Sequence, residues 1–70
     1  MSEALELRRQ RKIRGWTQRE LARRAKLSPR TILALEKGYA TPRQETKRRL
    51  MRALGIPWGQ HREVFGPRMA

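Results

Sequence analysis

The sequence predicts an all-α fold, a compact bundle of four to five helices. Apolar residues recur at the three- and four-residue spacing of amphipathic helices. Separate start and stop signals bound the helical stretches, and the five glycines are scattered as helix ends and turns. Seventy residues make one small domain, and no internal repeat or low-complexity tract divides it.

The first helix is predicted to run from about Glu3 to Arg14, with Ser2 as a candidate N-cap and Gly15 as its end. Trp16 follows at the junction with the second helix. A large ring at such a junction covers the end of the core, and we prefer this role for Trp16 to stacking on a base. The residues of the first helix expected to face inward are Ala4, Leu7 and the stem of Arg11.

The second and third helices carry independent start signals. Thr17 followed by Glu20 is a capping box. In this motif the threonine side-chain oxygen accepts from a backbone N–H of the first turn, and the glutamate side chain accepts from the threonine backbone N–H. Ser28 is a favoured N-cap, and Pro29 suits the first helical position because its missing N–H would have no partner there. Either signal alone is a common accident, whereas two in close succession indicate two short helices.

These helices are predicted over about Gln18 to Ala25 and Pro29 to Lys37, and Gly38 supplies the left-handed residue that ends the later one. The short turn between them requires close packing, which small alanines permit. This arrangement is a helix-turn-helix, the motif that lays its second helix in the major groove of DNA. The residues expected to be buried by the motif are Leu21, Ala22, Ala25, Leu27, Ile32 and Leu35.

The fourth helix is predicted to begin between Arg43 and Thr46 and to end at Gly55. Beyond it, the tail has the pattern of a single helical turn over about Gln60 to Val64, which the following glycine and proline stop. The core contacts expected from this part of the chain are Leu50, Leu54 and Ile56.

Composition favours a nucleic-acid partner independently of the motif. Eighteen Lys and Arg against six Asp and Glu give a formal net charge of +12, which attracts polyphosphates. Charge by itself does not distinguish DNA from RNA, from an anionic membrane or from a merely solvated basic surface. No apolar run reaches the roughly 20 residues of a membrane span. Residues 1–15 lack an apolar signal core, so we expect an intracellular, cytoplasmic protein.

Catalytic, metal and cofactor chemistry is not expected. The chain has no cysteine, and its one histidine, His61, is expected on the surface without a ligand cluster. Carboxylates such as Glu6, Glu20 and Glu45 lie on predicted helices with an arginine three or four residues away, which ordinary helix pairing explains. No glycine-rich phosphate loop is present. We therefore expect a protein that is not an enzyme and holds neither metal nor cofactor.

From about Leu7 to Ile56 the chain resembles the DNA-binding domain of the Cro and lambda-repressor superfamily, also called the xenobiotic-response-element family, of bacterial and phage regulators. The matching residues are Arg11, Gly15, Thr17-Gln18, Glu20-Leu21-Ala22, Leu27-Ser28, Thr31-Ile32, Leu35-Glu36, Gly38, Pro42 and Ala53-Leu54-Gly55-Ile56. The resemblance implies a lambda-repressor-like bundle. Residues 1–56 would be the DNA-binding domain, and residues 57–70 a tail that forms a short fifth helix or a dimer contact.

The resemblance also implies roles for residues around the motif. Gln18, at the start of the second helix, would bond a DNA phosphate at the positive end of a helix dipole. Arg11 and Glu36 would form a buried pair that ties the first helix to the end of the third, rather than being unrelated surface charges. The candidate phosphate contacts are Thr17, Gln18, Arg19, Thr31, Tyr39 and Arg43.

In this family bases are read from the exposed start and one face of the third helix. The matching positions are Ser28, Pro29, Arg30, Leu33, Ala34 and Lys37. Arg30 suits a bidentate contact to guanine, with a phosphate contact as its rival role. Pro29 stands where relatives often carry glutamine, and Leu33 and Ala34 offer only apolar contact, such as to a thymine methyl. We therefore expect modest sequence specificity with strongly salt-dependent binding.

The start of the fourth helix departs from the family, because Gln44, Lys47 and Arg48 stand where relatives usually place leucines. Lys47 can then lie inward only with its stem buried and its head in water. We favour a partial fray, in which the helix begins near Thr46. The alternative is a second phosphate-binding strip on this helix, comprising Arg48, Arg49 and Arg52.

Family members commonly bind palindromic operators as two-fold dimers through the end of the fourth helix and the residues that follow. The apolar residues available for such a homodimer are Met51, Trp58, Val64 and Phe65, although packing on its own core is an equal alternative for Trp58. The resemblance favours a sequence-specific transcriptional repressor that binds double-stranded DNA. The alternatives are an antitoxin-like or phage accessory module with a protein partner, and a charge-driven RNA or nucleoid binder.

Overall fold

The computed structural model describes residues 3–66, with side chains from residue 6 onward. Its elements are α1 (Glu3–Ile13), α2 (Gln18–Ala25), α3 (Pro29–Glu36), α4 (Gln44–Leu54), a 3-10 turn (Trp58–Gln60) and α5 (His61–Phe65). This range contains no strand, and the all-α fold predicted from the sequence is confirmed. The suggested N-cap Ser2 and the inward side chain of Ala4 lie outside the described residues.

The helices α2 and α3 begin at the predicted caps. Thr17 Oγ1 accepts from the Glu20 backbone N–H at 3.0 Å, and Ser28 Oγ accepts from the third N–H of α3 at 3.1 Å. The reciprocal half of the predicted capping box is wrong, because the Glu20 carboxylate lies 2.6 Å from both Arg23 and Arg24 and pairs with them instead. The hydrogen bond from Arg23, followed by its charge and by Arg24, lowers the pKa of Glu20.

The end of α2 has no signal in the sequence. Lys26 adopts the left-handed conformation with φ of 58°, and the Leu27 N–H donates back to the Ala22 carbonyl at 2.8 Å. Glycine usually occupies such a position. The end of α3 follows its signal more closely: the helix stops at Glu36, one residue before the predicted end, and Gly38 has φ of 76°.

The core forms where α2 packs on α3 and α4, and where α1 packs on α3 and α5. Ala22 and Ala25 are each at most 2% exposed, and their small size lets α3 approach closely. Leu27, expected to be buried, is half-buried against this core. The fully buried apolar residues are Leu7, Leu21, Ala22, Ala25, Ile32, Leu35, Leu50, Met51, Leu54, Val64 and Phe65.

The fourth helix begins at Gln44, so the favoured prediction of a frayed start near Thr46 is wrong. Arg43 has the extended backbone of an N-cap, and its carbonyl accepts the first helical N–H at 2.9 Å. One turn of helix then brings Glu45 within 3.1 Å of Arg49. This local pairing supports the first turn of α4.

Lys47 lies on the inner face of α4 and is only 4% exposed. Its Nζ lies 6.0 Å from the centre of the Phe65 ring, and burial lowers the pKa of its ammonium group. The stem is therefore buried as predicted. The ammonium group keeps some contact with solvent, because no fully buried side-chain nitrogen or oxygen of the described residues lacks a hydrogen-bond partner. Phe65 lies beside Lys47 because the tail folds back on α4, which the sequence pattern did not indicate.

The tail completes the core. The predicted turn over Gln60–Val64 is a 3-10 turn followed by α5, which extends to Phe65. Met51, Val64 and Phe65 are each 2% exposed, so the prediction that they are available for a dimer contact is wrong. Over residues 3–66, no helix is long and apolar enough to cross a membrane.

Candidate nucleic-acid interface

A buried ion pair connects α1 to the end of α3. The Nε and Nη2 atoms of Arg11 donate to the two carboxylate oxygens of Glu36 at 2.6 and 3.0 Å. The residues are 8% and 6% exposed, and Arg11 Nη1 also donates to the Trp16 carbonyl at 2.7 Å. Multiple hydrogen bonds offset the desolvation of both charges. The end of α3 is thereby held in a defined position against α1.

Gln18 begins α2 beside this pair and is half-buried. Its Nε2 donates to Glu36 Oε1 at 3.1 Å, which uses one of the two amide hydrogens within the protein. The second hydrogen is left for another acceptor. An anion at this point would also meet the backbone N–H groups of the first turn of α2, at the positive end of its dipole.

The predicted base-reading residues lie on the outward face of α3. Those with exposed side chains are Ser28, Pro29, Arg30, Leu33 and Lys37, while Ala34 is half-buried. The Ser28 hydroxyl caps the helix and lies 2.9 Å from the Thr31 hydroxyl, so little of its bonding capacity remains for a base. Leu33 is 38% exposed. The face therefore offers a guanidinium near its start, an apolar side chain at its centre and an ammonium group at its end.

The predicted phosphate contacts occupy both ends of the motif. Thr17 and Arg19 are exposed at the start of α2, and Tyr39 and Arg43 are exposed in the loop between α3 and α4. Tyr39 is 78% exposed, although its backbone N–H closes the end of α3. Thr31 is half-buried, and its hydroxyl bonds that of the cap. The four exposed side chains can therefore contact DNA without any change in the packing of the core.

Trp58 packs on its own molecule. Its ring stacks on His61 with centroids 4.2 Å apart, and the Arg48 guanidinium lies 4.4 Å from the tryptophan centroid. His61 is half-buried by this stack, so its predicted place on the surface holds only in part. Arg49 donates to the Lys26 carbonyl at 3.1 Å. The arginines at positions 48 and 49 therefore have internal contacts while their side chains remain exposed, and the suggested phosphate strip stays a prediction.

Trp16 lies at the junction of α1 and α2 and is half-buried against the core. The Arg24 guanidinium lies 4.4 Å from its ring centroid and that of Arg14 lies 5.8 Å away. Cations over the ring face are favourable and cover the surface that a base would need for stacking. The geometry agrees with the structural role we preferred for this residue.

Arg8 is a residue that our sequence reasoning missed. It borders a notch of about 180 Å³ whose lining residues are Arg8, Arg11, Gln18, Glu36 and Lys37. No motif distinguishes Arg8 from the other cations of α1. The available signal was its spacing, because Arg8 precedes the buried Arg11 by three residues and therefore lies on the same side of the helix.

Comparison with known proteins places these features in a family context. Residues 7–60 match the profile of a protein family described as Helix-turn-helix. Over 49 residues the chain is 47% identical to an uncharacterized HTH-type transcriptional regulator of Methanothermobacter thermautotrophicus, in an alignment that covers 70% of this chain and 71% of that protein. The matched profile spans the residues from Leu7 in α1 to the end of the 3-10 turn.

Proposed function

Because the chain belongs to the Cro/C1-type helix-turn-helix family, we propose that it is a DNA-binding regulator of transcription that inserts α3 into the major groove. One observation carries this proposal: α3 exposes Arg30 and Leu33 on its outward face, while Ile32 and Leu35 anchor its other face in the core. A helix fixed from behind presents a defined surface to the bases. The net charge of +12 adds attraction to any duplex.

Individual roles follow from the chemistry of this surface. Arg30 is assigned to guanine or to a neighbouring phosphate, and Leu33 to a thymine methyl. Gln18 and the exposed residues at the two ends of the motif are assigned to phosphates, where they set the orientation of α3. Because few side chains on the reading face can donate to bases, the protein should combine modest sequence specificity with strongly salt-dependent binding.

The finer proposal is a repressor that occupies promoter DNA in the cytoplasm as a homodimer on a palindromic site. Because Met51, Val64 and Phe65 are buried in the core, we assign the dimer contact to Trp58, which is half-buried. Trp58 borders a groove of about 180 Å³ together with Arg48, Met51, Arg52 and Ile56. The two arginines would repel their copies across a dimer axis, so dimers should form on DNA more readily than in its absence.

Selection of bound sequences from a random DNA pool tests the function directly. A specific regulator should enrich one motif, and a dimer should enrich a symmetric motif with half-sites about one helical turn apart. The enriched site should then resist competition by excess random DNA. A pool that stays random after repeated rounds would contradict specific regulation and favour a charge-driven binder.

A protein-interaction module is the second candidate, and the exposed surface of α1 favours it. Ile13 is 65% exposed, and it borders a shallow depression with Arg8, Arg9 and Lys12. DNA binding through α3 gives this large apolar side chain no role. Co-purification with the product of an adjacent gene, abolished by Ile13→Glu but not by Arg30→Ala, would support an antitoxin-like role.

A further inference from the structure

The notch between α1, α2 and the end of α3 has an unbalanced charge. At its floor the Arg11 guanidinium and the Glu36 carboxylate neutralise each other at 2.6 Å. Arg8 and Lys37 stand at its walls with exposed side chains, and Glu36 is the one carboxylate among the lining residues. The notch therefore keeps an excess of two positive charges. Its volume of about 180 Å³ admits one phosphate group with some water.

We propose that Arg8 binds a backbone phosphate of DNA in this notch, together with Gln18 and Lys37. The inference rests on the proposed function and deepens it, because it adds α1 to the elements that grip the duplex. A guanidinium fork matches phosphate oxygens in bidentate geometry, and the amide of Gln18 supplies a neutral donor. One phosphate would thus be held from three helices, which fixes both the height and the rotation of α3 in the groove.

Arg9 provides a matched comparison on the same helix. It carries the same charge one residue along the chain, lies 3.7 Å from the Glu6 carboxylate and does not line the notch. Arg8 and Arg9 are both exposed, so replacing either one removes a charge without opening the core. Any difference between the two replacements therefore reports position rather than net charge.

The experiment measures how the affinity for a short duplex depends on salt, for the wild type, Arg8→Gln, Arg8→Lys and Arg9→Gln. Each phosphate contact contributes about 0.9 to the slope of log affinity against log salt. Arg8→Gln should make this slope shallower by about 0.9. The loss of affinity relative to the wild type should therefore shrink about threefold between about 50 and 200 mM salt. Arg8→Lys should keep the wild-type slope, and Arg9→Gln should change it much less than Arg8→Gln.

Equal slopes for Arg8→Gln and Arg9→Gln would overturn the inference while leaving the proposed function intact. Slopes are measured on a random duplex and on the selected site, so that the two hypotheses separate. A wild type that prefers no site would refute specific regulation, and the random duplex would still test Arg8. A wild type that binds neither duplex would refute both. Thermal melts ensure that each variant is compared below its unfolding transition.

Discussion

Gln18 and Arg11 donate to the same carboxylate, that of Glu36, from two different helices. The amide of Gln18 lies 3.1 Å from Oε1, and the guanidinium of Arg11 lies 2.6 Å from Oε2. One buried side chain at the end of α3 therefore joins α1, α2 and α3. The residue assigned to a DNA phosphate is thus mechanically connected to the end of the helix assigned to read bases.

Loss of this carboxylate should be strongly destabilising. Glu36→Ala is expected to lower the free energy of unfolding by about 3–5 kcal/mol, because Arg11 is left buried without its partner. A thermal melt measures this, since about 1 kcal/mol shifts the midpoint of a domain of this size by about 4–8 °C. The matched control is Glu45→Ala: the Glu45 side chain is 72% exposed beside Arg49, so its loss should remove less than about 1 kcal/mol. Similar melts for the two variants would contradict the importance of the buried pair.

The buried lysine of α4 should be replaceable with a gain in stability. Burial lowers the pKa of Lys47 from its ordinary 10.5, so at neutral pH its charge opposes folding. Lys47→Met keeps the stem, removes the charge and should raise the free energy of unfolding by about 1 kcal/mol. Chemical denaturation at neutral pH measures the gain, with the exposed Lys12→Met as the control.

The same lysine predicts a dependence on pH. Its pKa is lower in the folded protein, so between that value and 10.5 the unfolded state binds more protons. The destabilisation caused by the charge of Lys47 has its full size below the folded pKa and disappears as the pH rises toward 10.5. The stability advantage of Lys47→Met over the wild type should therefore narrow in alkaline solution. An advantage that stays constant across this window would assign the gain to packing rather than to charge.

Lys26 offers a second stabilising substitution. It holds φ of 58°, a conformation that costs a residue with a side chain roughly 1–2 kcal/mol and glycine almost nothing. Lys26→Gly should raise the free energy of unfolding by about 1 kcal/mol, and the bond from Arg49 survives because it ends on the Lys26 backbone carbonyl. Chemical denaturation tests this beside Gly38→Ala, which places a side chain at φ of 76° and should destabilise. A loss of stability in Lys26→Gly would mean that the lysine side chain itself supports the turn.

The parts of this fold that sequence could predict are those set by neighbouring residues. The caps at Thr17 and Ser28 act on N–H groups three residues away, and Gly38 and Gly55 end helices through their own backbone conformation. The starts of α2 and α3 therefore agree with the prediction to the residue, and α4 ends at Leu54, one residue before the predicted Gly55. The left-handed Lys26 was missed because no local signal accompanies it.

The parts that sequence could not predict depend on contacts between distant segments. The Nζ atom of Lys47 lies 6.0 Å from the centre of the Phe65 ring only because the tail returns to α4, and the residues around Lys47 in the sequence do not reveal this contact. The spacing of α3 indicated which positions face outward. It did not reveal that Gln18 bonds Glu36 or that Arg8 borders the same notch, since both facts depend on how α1 crosses the motif.

Arg30 and Lys37 should differ in how they contribute to DNA binding. Arg30 is exposed near the start of α3, whereas Lys37 caps its end and lines the notch beside Gln18. On the selected site, Arg30→Ala should cost about 1–3 kcal/mol through a lost guanine contact, with a much smaller loss on random DNA. Lys37→Ala should weaken binding to both duplexes alike and make the salt dependence shallower by about 0.9.

Two measurements distinguish these roles. The affinity of each variant for both duplexes is first titrated at one salt concentration, and the salt series then follows. Equal losses on specific and random DNA for Arg30→Ala would assign that guanidinium to a phosphate. The apolar Leu33 would then be the main source of discrimination on the face, because the Ser28 hydroxyl is committed to the cap and to Thr31. In that case Leu33→Ala should reduce the preference for thymine at one position without changing the salt slope, since it removes no charge.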